Sequence, residues 1–241
     1  MGEDMRKIKK TIFLLNINGF AKEITDITYP LIKFYARKIG AEIHLITERK
    51  FPEFPVTYEK LQIYELAKES DSDWFIYLDS DTLIHPETID FTQYLSKNTI
   101  AHNGTDFASF RWRYDRFFLR DGRDIGSCNW NTWASNLCIE LWKPLDDMTC
   151  EEALDNIYPT VNEVNTVIDR EHLIDDYVLS RNIAKYGLKV KTLIGIQKEL
   201  GLTECNFFWH AYTLPPQEKV VEMKKVLAVW KIEEFFKRIE K

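Results

Sequence analysis

The stretch WFIYLDSDTLI, residues 74–84, is an apolar run that ends in two carboxylates, Asp79 and Asp81, separated by one serine. In an extended strand alternate side chains point to the same face, so these two carboxylates would project together. A hard cation such as Mg²⁺ or Mn²⁺ offsets the repulsion between them and leaves room for substrate phosphates. The stretch therefore predicts a metal site at the end of a buried strand, although Asp-Ser-Asp-Thr also suits a turn after any strand.

Length and composition favour one globular α/β domain. The chain has 241 residues, of which 45% are hydrophobic and 29% are charged, so it can bury a substantial core. Its formal net charge is −6 and its basic residues are scattered, which argues against nucleic acid as a partner. No apolar run approaches the ~20 residues that cross a bilayer. We expect a cytosolic enzyme whose four cysteines, without CxxC pairing, are reduced thiols rather than zinc ligands.

The segments before the acidic pair predict alternating strands and helices. Apolar runs at 11–17 and 42–47 are typical of strands buried on both faces. A helix between them is predicted to begin near Thr28, with Pro30 in its first turn, and a second helix is predicted over 58–70. This alternation predicts a parallel sheet, and ligands of such sheets bind beyond the carboxyl ends of the strands.

The second half of the chain has a different pattern. Arginines and aromatics crowd residues 104–133 and suit either a binding loop for sugars and phosphates or a plug at the far end of the sheet. The other predicted elements are a short helix from Pro86 to Leu95, strands at 99–103, 133–142 and 189–194, and a helix over 172–186. A C-terminal helix follows FFWHAYTLPP, and its apolar side either packs on the domain or touches a membrane surface.

The sequence YEKLQIYELAKESDSDWFIYLDSDTLIHPETID, residues 58–90, resembles the GT-A class of nucleotide-sugar glycosyltransferases, and family-eight-like members in particular. The resemblance implies a single Rossmann-like domain over 1–241, with a mostly parallel sheet, flanking helices and a C-terminal helix. It also implies a nucleotide-sugar-binding half over 1–103 and an acceptor-binding half over 104–241. The implied reaction moves a sugar from a nucleotide-diphosphate donor to a hydroxyl of a glycan or lipid-linked acceptor.

The same resemblance implies a set of site residues. Mn²⁺ or Mg²⁺ would be held by Asp79, Asp81 and a late histidine, His210. The donor, a UDP-sugar or alternatively a GDP-sugar, would lie against the motif that includes Ser80, with Lys60 near its diphosphate or sugar. Polar residues at the predicted strand ends are candidates to contact the nucleoside: Asn16, Asn18 and Thr47.

Two acidic residues at the start of the late helix are candidates for a base. If the reaction inverts the anomeric carbon, Asp176 is the predicted base and Asp175 is its substitute. In a retaining reaction they would bind the acceptor instead, and both also suit the first turns of any helix.

Other functions are weighed against this one. A metal-dependent phosphohydrolase of the haloacid dehalogenase type also has Asp-x-Asp after a strand, but Leu83 stands where its motif needs threonine or valine. A sugar nucleotidyltransferase lacks support, because NINGFAKEI has no glycine- and lysine-rich signature. A non-catalytic nucleotide-sugar or glycan-binding relative stays open.

Overall fold

A computed structural model describes residues 7–103, 131–157, 174–202, 205–210 and 214–239 of the protein. The strands of the described chain are β1 (Lys10–Leu15), β2 (Ala41–Ile46), β3 (Trp74–Tyr77), β4 (Thr82–Ile84), β5 (Thr99–His102), β6 (Thr132–Ser135), β7 (Lys189–Thr192) and β8 (Phe208–His210). Six of them form one sheet in the order β2-β1-β3-β6-β5-β7, while β4 and β8 form a separate antiparallel pair.

The central sheet is mostly parallel, as the sequence predicts. β1 is parallel to both β2 and β3, and β5 is parallel to β7. Only β6 among the six runs the other way, since it is antiparallel to β3 and to β5. The carboxyl ends of five strands therefore meet at one edge of the sheet.

Helices cover both faces of this sheet because its central strands are apolar on both sides. Ile12 and Ile76 face one hydrophobic core, whereas Phe13 and Phe75 face the other. The helices of the described chain are α1 (Lys22–Ile39), α2 (Ile63–Lys68), α3 (Cys150–Ile157), α4 (Ile174–Tyr186), α5 (Leu193–Glu199), α6 (Pro216–Val229) and α7 (Ile232–Ile239). Short 3₁₀ helices cover Val56–Gln62, Phe91–Tyr94 and Ile139–Trp142.

The first helix begins well before its predicted start. α1 already includes Lys22, so that Thr28 and Pro30 lie inside it rather than at its first turn. Ile24 and Leu31 are buried in the same apolar cluster, and this packing supports helix on both sides of the proline. The prediction that the helix begins near Thr28 is wrong.

Several other boundaries differ from those predicted. β2 is an edge strand with exposed residues, not a strand buried on both faces. The predicted strand over 133–142 ends at Ser135 and gives way to a 3₁₀ helix, and the helix predicted over 58–70 is 3₁₀ in its first half. The stretch predicted to be helical from Pro86 to Leu95 is helical only over Phe91–Tyr94. The arginine- and aromatic-rich stretch up to residue 130 lies outside the described residues, as does His172.

The C-terminal segment forms two helices instead of one. They are separated at Lys231, whose φ is 51°. Met223 of α6 and Ile232 of α7 are buried against α1 residues, and the rings of Phe235 and Phe236 lie edge-on to Phe34 at centroid distances of 5.7 and 5.5 Å. Its apolar side thus packs on the domain. Within the described residues, none of the helices has the length and apolar character that crossing a membrane requires.

Candidate metal centre

The acidic pair lies in a tight turn between β3 and β4. The Thr82 amide donates to the Asp79 carbonyl at 3.0 Å, so the two carboxylates converge through a turn and not through the alternation of an extended strand. Ser80, between them, points inward, where its hydroxyl donates to the Leu15 carbonyl. Its own carbonyl accepts a 2.6 Å hydrogen bond from the Thr28 hydroxyl on α1. The turn is therefore anchored to the carboxyl end of β1 and to a helix.

His210 reaches the acidic pair through the small antiparallel ladder. β4 and β8 pair with Thr82 opposite His210, which brings the histidine beside the residue that precedes Thr82, Asp81. Its Nε2 lies 2.9 Å from Oδ1 of Asp81 and 3.8 Å from Oδ2 of Asp79. One potential ligand atom from each of the three side chains lies within 4.8 Å of the other two.

This donor set fits a divalent cation. Carboxylate oxygens suit Mg²⁺ and Mn²⁺, and the imidazole nitrogen favours the transition metal of the two. The side chains of Asp79, Asp81 and His210 are 22%, 12% and 8% exposed, so the cluster is sheltered but reachable. The predicted metal ligands are thus brought together.

The two carboxylates have opposite electrostatic environments. Burial raises the pKa of Asp79, and the neighbouring Lys60 ammonium and His210 imidazole offset this only in part. Burial would raise the pKa of Asp81 as well, but the hydrogen bond and charge of His210, together with the Lys219 ammonium, outweigh it and hold that pKa well below its usual range. A cation bound between the two carboxylates would compensate the poorly paired member, Asp79.

Lys60 connects the acidic turn to α4. Its Nζ lies 2.5 Å from Oδ2 of Asp175 and 4.0 Å from Oδ1 of Asp79, and it stands 4.5 Å from the centroid of the Tyr77 ring. Burial lowers the pKa of Lys60, but the charges of Asp175 and Asp79 prevail, so the pKa is raised and the lysine is a cation. The Tyr77 hydroxyl donates to Asp79 Oδ1 at 2.6 Å.

Asn131 holds the turn from the side of β6. Its Oδ1 accepts from the Asp79 amide at 3.1 Å and from the Thr82 hydroxyl at 3.3 Å, and the side chain is fully buried. One amide oxygen thereby ties together both ends of the acidic turn.

The remaining predicted site residues differ in how close they come to the centre. Asn16 follows β1 directly, and its amide donates to the Ile46 carbonyl at 2.8 Å. Asn18 and Thr47 are exposed at the same edge of the sheet. Asp175 is buried and reaches the cluster through Lys60, while its neighbour Asp176 is half-exposed.

Among the residues that the structure describes, four that contact the acidic turn were not predicted to take part in the centre: Thr28, Tyr77, Asn131 and Lys219. Tyr77 could have been found, because it ends β3 two positions before Asp79, and alternate side chains of an extended segment face the same side. The other three are distant in sequence, and their contacts with the turn have no periodic signal.

Comparisons with known proteins identify the fold. The sequence matches no protein-family model and no curated protein. The structure is similar to a glycosyltransferase involved in the glycosylation of the major capsid of PBCV-1, with a TM-score of 0.50 and 15% sequence identity over 90% of this chain and 98% of that one. A galactosyltransferase, LgtC, solved with donor and acceptor sugar analogues, has a TM-score of 0.45 and 14% identity over 75% of this chain and 72% of its own. The predicted GT-A type of α/β fold is confirmed.

Proposed function

We propose that the protein is a metal-dependent glycosyltransferase that moves a sugar from a nucleotide-diphosphate donor to a hydroxyl acceptor. The observation that carries this proposal is the convergence of Asp79, Asp81 and His210 within 4.8 Å, in a chain with a glycosyltransferase fold. The site lies where the carboxyl ends of the parallel strands meet, which is where open α/β sheets bind their ligands.

Asp79, Asp81 and His210 would hold Mn²⁺ or Mg²⁺. A cation bound there would neutralise the charge that develops on the departing diphosphate. The imidazole in the donor set favours Mn²⁺. Lys60 supplies a positive charge 4.0 Å from Oδ1 of Asp79, close to where the diphosphate or the donor sugar would bind.

The donor's nucleoside would contact Asn16, Asn18 and Thr47. The Ser80 hydroxyl points inward to the Leu15 carbonyl, so Ser80 would hold the acidic turn in place beside the donor. A UDP-sugar is the proposed donor and a GDP-sugar the alternative. The acceptor would be a glycan or a lipid-linked glycan, bound by the half of the chain after residue 103.

Asp176 is the proposed base of an inverting reaction. The Oδ2 atom of its neighbour Asp175 is already engaged by the Lys60 ammonium at 2.5 Å, which leaves that carboxylate poorly suited to accept a proton. Asp176 is partly exposed, whereas Asp175 is buried. In a retaining reaction the same side chain would orient the acceptor.

The proposal is tested with Asp81→Asn and a control, Asp26→Asn, which alters an exposed carboxylate that pairs with Lys22. A panel of nucleotide sugars with Mn²⁺ is first screened for a rise in melting temperature, since a ligand of the native state stabilises it. Asp81→Asn is expected to lose both this rise and Mn²⁺-dependent sugar transfer or donor hydrolysis, while Asp26→Asn retains them. Unchanged turnover in Asp81→Asn would overturn the metal assignment.

The same assays separate the alternatives. A non-catalytic relative would show the donor-induced rise in melting temperature without turnover, and a phosphohydrolase would release inorganic phosphate from a phosphomonoester with no nucleotide product. Asp176→Asn is expected to keep donor binding and to lose transfer. If it transfers normally, Asp176 is not the base.

A further inference from the structure

We propose that Lys219 is a built-in counter-ion of the acidic turn, which a divalent cation must displace from Asp81, so that this lysine sets the metal affinity of the protein. The inference rests on the metal site of the proposed function. It concerns a residue of α6 that lies 138 positions from Asp81 in the sequence.

Both carboxylate oxygens of Asp81 are engaged in the structure. Oδ1 lies 2.9 Å from His210 Nε2, and Oδ2 accepts a charge-assisted hydrogen bond from the Lys219 ammonium. The Lys219 and Asp81 side chains are each 12% exposed, so the pair is largely withdrawn from water and is weakly screened. A divalent cation that binds Oδ2 would be repelled by the ammonium already in contact with this oxygen, so we expect the ammonium to leave Asp81 when the cation binds.

The fold holds the backbone of Lys219 in place while its side chain can move. The Lys219 amide donates to the Pro215 carbonyl at 2.9 Å in the first turn of α6. One turn later on the same face, Met223 is fully buried among residues of α1 and β4. Release of Asp81 therefore needs only a swing of the flexible lysine stem, without movement of the helix.

Charge explains why this lysine opposes metal binding. A charge within about 4–6 Å changes the affinity of a carboxylate for a cation such as the proton by roughly 10- to 1,000-fold. Lys219 is in direct contact with a proposed metal ligand, and no other ammonium within the described chain contacts Asp81. Lys60, the other lysine of the cluster, pairs with Asp175 and Asp79 instead.

The test compares Mn²⁺ affinities by calorimetric titration without nucleotide. Lys219→Met keeps the apolar stem and removes the charge, and it is expected to bind Mn²⁺ about tenfold more tightly than wild type, a change of about 1.4 kcal/mol in binding free energy. Lys219→Arg keeps the charge and should stay close to wild type. The control is Lys225→Met, which alters an exposed lysine of the same helix that pairs with Glu222, and it should leave the affinity unchanged.

A second measurement uses the wild-type protein and so does not depend on the folding of a variant. Mn²⁺ is expected to increase the rate at which an amine-acylating reagent modifies Lys219 several-fold, with Lys225 as the internal reference by mass spectrometry. The inference would be overturned if Lys219→Met bound Mn²⁺ no more tightly than wild type, or if Mn²⁺ did not change the rate at which Lys219 is modified.

The outcome also distinguishes this inference from the proposed function. If Asp81→Asn abolishes Mn²⁺ binding but Lys219→Met binds as wild type does, the counter-ion role is wrong and the metal site stands. If Asp81→Asn binds Mn²⁺ as well as wild type, both are wrong.

Discussion

Replacement of Lys60 by methionine is expected to destabilise the protein by about 3–5 kcal/mol at neutral pH, because it removes one partner of a buried ion pair. Lys60 and Asp175 are 4% and 7% exposed in their side chains and lie 2.5 Å apart. Without the ammonium, Asp175 is left as an uncompensated buried charge whose Oδ1 already has no hydrogen-bond partner within the described residues.

The size of the effect follows from two distances. At 4.0 Å, the separation from Asp79, a charge pair in a partly polar protein environment is worth about 4 kcal/mol of Coulomb energy. The closer contact with Asp175 adds to this, whereas the cost of burying the lysine itself is removed by the substitution. The pKa of Lys60 is raised above its ordinary value, so its contribution is fully present below about pH 10 and is lost only as the pH rises further.

The assay is urea unfolding in EDTA, followed by the fluorescence of the seven tryptophans. Lys68→Met is the matched control: its lysine is 46% exposed and pairs with Glu65 on the surface, so the expected loss is below about 1 kcal/mol. Adding Asp175→Asn to Lys60→Met should restore part of the lost stability, since the buried charge is removed. A loss below about 1 kcal/mol in Lys60→Met, or no recovery in the double variant, would refute the reasoning.

Two further predictions concern the acidic turn. Thr28→Val leaves the Ser80 carbonyl without its buried donor and should cost about 1–3 kcal/mol of stability in urea unfolding. Thr25→Val, which loses a bond to the Lys22 carbonyl of its own helix, should cost less. Equal losses in the two variants would argue against the anchoring role of Thr28. The lowered pKa of Asp81 means that its stabilising contribution is full above its ordinary pKa of about 3.9 and is lost as the pH falls through the lower folded value. The stability difference between wild type and Asp81→Asn should therefore shrink below about pH 4, and a difference that stays constant from neutral pH to about pH 3 would contradict this assignment.

The central features of the fold could be predicted because they are local. The apolar runs before Asn16 and before Asp79 identify strands of the sheet interior, and hydrophobic faces of period 3.6 identify helices. His210 was predicted through the family resemblance, and the structure brings it to the acidic pair. Element boundaries were less predictable: Pro30 suggests a helix start, but the burial of Ile24 and Leu31 extends α1 across it.

The residues that contact the acidic turn from other segments could not be predicted from the sequence. The contacts of these residues with the turn span 49 or more positions of sequence: Thr28, Asn131 and Lys219. Each is a common residue type, and its neighbours in the sequence form no motif. Their roles depend on how α1, β6 and α6 pack around the acidic turn. Such packing is a tertiary property with no periodic pattern in any one segment.

Because His210 lies on β8, the proposed metal centre cannot be complete until β8 has been synthesised and has paired with β4. Asp81 leaves the ribosome 129 residues before His210, and closing so long a loop costs entropy that the packing of the folded domain offsets. Until β8 arrives, the nascent acidic turn has two carboxylates but not the imidazole that completes the proposed ligand set. Binding of a cation by all three ligands would then be possible only after nearly the whole described chain has been synthesised and folded.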